Sequence, residues 1–107
     1  MFDFKKLTND LLEAKEAAKA SMTGEDGGSA NRDCMTIALP RLNEEKVINA
    51  IKESGLWTRG KRDWIGKRYF ISVPFGGQGN DRCRQVKAMC DHMKSKGYDV
   101  LMFCQID

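Results

Sequence analysis

The spacing of apolar positions changes period several times along the chain, and each change predicts an element. Phe4, Leu7, Leu11, Ala14 and Ala18 recur at steps of three and four, the pattern of one buried stripe on a helix. Lysines and glutamates take the other faces, and alanine, the best helix former, dominates the second half. The pattern fades near Ser21. Residues 23–33, TGEDGGSANRD, hold three glycines and no large apolar side chain, which predicts a flexible connector. From Cys34 to Leu39 the chain alternates, with Met35, Ile37 and Leu39 on one face and Cys34, Thr36 and Ala38 on the other. This is a strand, closed by Pro40.

A second helix follows. Asn43 caps it, Glu44 and Glu45 complement the dipole in its first turn, and Leu42 can staple onto Val47. Val47, Ile48 and Ile51 form its core face, and Gly55 supplies a left-handed stop after which Leu56 folds back on Ile51. Residues 56–75, LWTRGKRDWIGKRYFISVPF, have the aromatic and β-branched content of a hairpin. Its second arm is expected over Arg68 to Phe75, with the turn between Lys61 and Lys67. The glycine-rich turn GGQGN leads into a third helix, capped by Asn80 and opened by Asp81. Cys83, Val86, Cys90 and Met93 make its stripe and Gly97 its stop, so that Tyr98 packs on Met93. Residues 98–106 close the chain as a strand that is apolar on both faces.

The order is a helix followed by βαββαβ. Two βαβ halves with right-handed crossovers predict an α+β ferredoxin-like sandwich with a four-stranded antiparallel sheet. Its strands would run last–first–third–second, with both crossover helices on one face. Phe70, Leu101 and Phe103 then look away from those helices, and each is worth about 1.5–3 kcal/mol if buried. The N-terminal helix, folded back through the connector, is the first expectation for their cover, and a second copy of the chain the other.

Length and composition narrow the class. A chain of 107 residues with 41% apolar and 31% charged residues is one globular domain rather than a disordered segment. That domain divides into an N-terminal helix (1–22), a connector (23–33) and the βαββαβ core (34–107). No apolar run approaches the ~18 residues of a membrane span, and the first ten residues lack the apolar stretch of a signal peptide. A cytoplasmic location without membrane contact is expected. Cys34, Cys83, Cys90 and Cys104 form no close pair, and the single His92 is two residues from Cys90, on another helical face. Four reduced thiols and no metal or cofactor are therefore expected.

The net charge of +3 is unevenly placed. Residues 1–58 carry eight Lys/Arg against ten Asp/Glu, a balance of −2, and residues 59–107 carry ten against five, a balance of +5. The excess gathers on the hairpin, where Arg59, Lys61, Arg62, Lys67 and Arg68 interleave with Trp57, Trp64 and Tyr69. Positive charge draws phosphates and flat rings stack on bases. Arg82 and Arg84 extend the patch if the third helix starts nearby. The bland alternative is a solvated sheet edge guarded by cations. A second candidate is the turn, where Gly76, Gly77, Gly79 and Asn80 precede a helix N-terminus that can hold an anion. It carries no G-K-[ST], and a turn needing positive φ explains it as well.

Enzyme readings lack parts. The one histidine has only its neighbour Asp91 to orient it, and Cys83, between Arg82 and Arg84, is the single cysteine in an electropositive setting. Residues 68–75 meet the third-strand pattern of the RNA recognition module at four places but lack both its glycines and its central aromatic. The cradle of the acylphosphatases and the C-x-x-C of the copper chaperones are absent after the first strand. No family is recognised. The expectation is a non-enzymatic binding module, with Arg59, Lys61, Arg62, Trp64, Lys67, Arg68, Arg82 and Arg84 engaging nucleic acid or another polyanion. The alternative is a protein-interaction, inhibitory or regulatory domain, as a single chain or a homodimer, that uses its open sheet face.

Overall fold

The computed structural model describes residues 1–24, 27, 33–76 and 79–104. Most of the connector, Gly77 of the glycine-rich turn and residues 105 and 106 of the last strand lie outside them. Three helices, α1 (Phe4–Ser21), α2 (Glu44–Glu53) and α3 (Gly79–Ser95), alternate with four strands, β1 (Cys34–Ala38), β2 (Thr58–Trp64), β3 (Gly66–Ile71) and β4 (Asp99–Phe103). The fold is α+β, with one open antiparallel sheet in the order β2-β3-β1-β4 behind an N-terminal helix.

Local chemistry sets the element ends. The Asp3 carboxylate accepts from the Lys6 N–H at 3.0 Å and starts α1, and the Asn43 side chain does the same for Lys46 at 3.0 Å to start α2. These bonds satisfy N–H groups that have no partner within the helix. At the end of α3, Gly97 turns left-handed at φ 92°. Its N–H then reaches the Lys94 carbonyl and that of Tyr98 reaches Met93, the paired bonds of a Schellman stop. Asn80 falls inside α3 rather than at its cap, and its N–H donates to the carbonyl of Gly27 at 2.8 Å.

One face of the sheet presents Met35, Ile37, Tyr69, Ile71 and Val100 to a single core shared with all three helices. α2 and α3 both lie against that face, and α1 packs outside them, across the gap between α2 and α3. Leu7, Leu11, Ala14 and Ala18 are fully buried there. Thr8 Oγ1 donates to the Ala50 carbonyl of α2 at 2.9 Å, and the Tyr98 hydroxyl to Asp10 of α1 at 2.8 Å. The expectation that α1 covers the other face of the sheet is therefore corrected. The stripe of α1 found its partner between the two crossover helices, where their own apolar flanks were still exposed, and α1 approaches no strand closely.

The hairpin turn, at Ile65, falls within the expected stretch between Lys61 and Lys67, but β3 starts at Gly66 and ends at Ile71, short of Phe75. Pro74 has no N–H to continue a ladder, and buried Gln85 captures the chain just beyond. Gln85 accepts from the Phe75 N–H at 3.2 Å and donates to the carbonyls of Phe75 and Gly76 at 2.7 and 2.9 Å. In β2 the register shifts between Thr58 and Gly60, making Arg59 the extra residue of a bulge, and Gly60 takes φ 90°. Such bulges bend and twist the strand that carries them.

Candidate functional site on the open sheet face

The face opposite the helices is built from alternate residues of four strands. Cross-strand register groups Cys34 with Phe103 and Thr36 with both Phe70 and Leu101. None of these belongs to the core cluster beneath the helices. Phe70 and Phe103 meet edge-to-face at 5.1 Å between centroids. Trp64 completes the group, 6.2 Å from Phe70 and 5.1 Å from Phe103. Its backbone pairs with Gly66 at the hairpin tip, and Gly66 to Phe70 measures about 13 Å along a straight strand. The hairpin must therefore curl across the face to bring the indole back. This roof is partial, since Trp64 remains 38% exposed while Phe70 beneath is 5% exposed.

Arg68 lies under the same roof, 3% exposed. Its Nε donates to Thr36 Oγ1 at 2.8 Å, and its Nη2 to the carbonyl and carboxylate of Asp99 at 2.9 and 3.1 Å. Thr36 in turn donates to the Leu101 carbonyl. The guanidinium thus ties β3 to β1 and β4 through one buried network, and its charge is met by Asp99, which is 69% exposed.

The other sequence-expected cations scatter. Arg62 pairs with Arg68 in register, on the open-face side, and is exposed. Arg59, in the bulge, is within electrostatic reach of the Cys34 thiol at one end of the face. Lys61 pairs with Tyr69 and sits 5.9 Å over that ring, toward the helical side. Lys67 pairs with Asp63, and both line a shallow cleft with Lys61, Arg62 and Glu44. Arg82 donates to the Asp33 carbonyl at 2.9 Å. Arg84 is bound to Asp81 and to Thr23. The structure thus brings Arg62, Trp64 and Arg68 to the open face, places Arg59 and Arg82 near Cys34 at one end of it, and turns Lys61, Lys67 and Arg84 to other surroundings.

The described residues of the glycine-rich turn are likewise engaged by their own chain. Gly76 gives its carbonyl to Gln85, Gly79 is a buried helical residue, and the Asn80 N–H donates to the Gly27 carbonyl. Asp81 performs a task that sequence reading missed. Fully buried, it accepts from the Thr23 and Gly24 N–H groups at 3.1 and 3.0 Å and from Arg84, fastening the end of α1 to the start of α3. The hydrogen bond from Arg84, with those from Thr23 and Gly24, holds its carboxyl below the usual carboxylate range against the opposing effect of burial. Phe70 and Phe103 were legible as outward-facing residues, but only the ring geometry joins them to Trp64.

No described helix is long and apolar enough to cross a membrane. Comparison of the chain with protein-family models, with curated proteins and with solved structures finds no match, so what this face can do must be read from its own residues.

Proposed function

We propose that the chain is a non-enzymatic binding module, a ferredoxin-like sandwich behind an added helix, that holds single-stranded nucleic acid on its open sheet face. The observation that carries this reading is the contact group of Trp64, Phe70 and Phe103 on the one sheet face that no helix covers. Trp64, the exposed ring of the three, offers a stacking platform worth about 1–3 kcal/mol per base. Arg62 and Arg59 border the rings and supply the charge that a phosphate backbone requires. The expected set of seven cations and Trp64 contracts to Arg59, Arg62 and Trp64, joined now by Phe103, while Arg68 holds the platform in shape.

Fluorescence anisotropy with labelled single-stranded DNA and RNA over a salt series tests this reading. Affinity should fall with salt at a log–log slope of about −0.7 per phosphate contact. Arg62→Ala should flatten the slope by about that amount, and Trp64→Ala should cost ~1–3 kcal/mol of binding. No binding to any single strand at low salt would end the proposal. A second reading, a protein partner or second copy on this face, would then stand. It is favoured by the part-exposed ring of Trp64 in contact with Phe70 and Phe103, an apolar surface that no described helix covers.

A further inference from the structure

Four cysteines spread between positions 34 and 104 converge at one end of the sheet. Cys34 opens β1 and pairs across the sheet with Phe103, the residue before Cys104. Arg82, the residue before Cys83, donates to the carbonyl of Asp33, the residue before Cys34. These two contacts bring the first turn of α3 and the end of β4 to the same point, the start of β1. Cys104 hydrogen-bonds Asp33 and lies within electrostatic reach of Cys83, while Cys34 and Cys90 are both within reach of Cys104.

Burial divides the four. Cys34 and Cys90 are buried, and burial pushes their thiols up to about 11 and about 12, so both stay protonated and inert at neutral pH. Cys83 and Cys104 are exposed. Among the described residues no group of three His, Cys, Asp or Glu side chains is placed to hold a metal ion.

We propose that Cys83 and Cys104 are an oxidant-responsive pair that closes a disulfide between the first turn of α3 and the end of β4. The oxidant is hydrogen peroxide. One thiol, as its thiolate, attacks a peroxide oxygen; the O–O bond breaks, a sulfenic acid forms and water leaves. The second thiol attacks that sulfur; the S–S bond forms, the S–O bond breaks and a second water leaves with the remaining protons. Two electrons pass from the sulfurs to the peroxide. Burial and the neighbouring Asp33 raise the Cys104 thiol, which slows its own attack on the peroxide. The bridge would lie one residue from Phe103 and anchor that end of the aromatic face to α3. Nothing in this step depends on what the face binds.

The test treats the full chain with hydrogen peroxide, removes the excess, alkylates remaining thiols and measures intact mass under denaturing, non-reducing conditions. The expected product has lost two alkylation sites and yields one cross-linked peptide pair joining Cys83 to Cys104. Cys83→Ser and Cys104→Ser should each abolish that product, and Cys34→Ser should retain it. Four alkylated thiols after oxidant exposure, a bridge to Cys34 or Cys90, or bridges only between chains would each overturn the proposal.

Discussion

Tyr69 and Phe70 are neighbours on β3, and the two sides of the sheet they face are stabilised in different ways. Tyr69 points under the helices, where segments distant in sequence bring aliphatic side chains together around it. Phe70 points to a face with no helix, covered by two other rings and the curl of its own hairpin. Polar groups differ as well. On the helical side the Tyr69 hydroxyl is buried with no hydrogen-bond partner among the described residues, whereas on the open side Arg68 makes a satisfied network with Thr36 and Asp99. The comparison teaches that one face uses packing to make the fold, and the other holds a shallow aromatic surface in place without enclosing it.

The largest effect should come from breaking the helical side. Leu11→Ala opens a cavity where α1 crosses α2 and α3, and should cost about 2–5 kcal/mol in denaturant unfolding. Deleting residues 1–22 should unfold the chain, because α1 completes the core. A truncated chain as stable as the original would place α1 outside the core. On the open side Arg68→Ala should cost less, about 1–3 kcal/mol. It leaves the Thr36 hydroxyl and the Asp99 carbonyl without their donor, but the Asp99 carboxylate is already in water. Arg68→Met, which keeps the packing, should recover part of the loss.

An acid titration sharpens the contrast further. On the helical side, Asp10 is pushed up by burial, but hydrogen bonds from Lys6 and Tyr98 outweigh this and leave its carboxyl below the usual value. Asp81 is lowered chiefly by its hydrogen bond from Arg84. Both groups therefore bind protons less readily folded than unfolded. The stability they contribute is present above about pH 4, the unfolded carboxylate value, and is lost as pH falls through the lower folded values. Urea midpoints should drop across that range, and Asp10→Asn and Asp81→Asn should each flatten the drop. The smallest effect belongs to the outer surface, where Lys87→Ala breaks a solvent-exposed pair with Asp91 and should change stability by no more than about 0–1 kcal/mol.

The helical side was the more legible in sequence. The stripes of α1 and α2, that of α3 apart from Cys83, which is exposed, the Asn43 cap and the stops at Gly55 and Gly97 are local signals, carried within a turn or two of the residues they govern. The location of α1 was not legible, because an apolar stripe says that a helix packs but not against what. The open side depends on longer reach. Arg68 reads as one of five hairpin cations, and only contacts to Thr36 and Asp99, 32 and 31 positions away, turn it into a buried strut. β2 was hard to delimit, since Gly60 serves a bulge and most of its other side chains are polar. Trp64 joins Phe70 and Phe103 through the curl of the hairpin, which no periodicity records.

Methyl resonances separate the two faces most directly. Ala38 and Leu101 report the open side, and Ile37, Ile71 and Val100 the helical side of the same strands. Titrating methyl-labelled protein with a single-stranded oligonucleotide at low salt should shift Ala38 and Leu101 and leave the other three in place. Shifts confined to the helical-side methyls, or no shift at any methyl, would contradict binding on the open face.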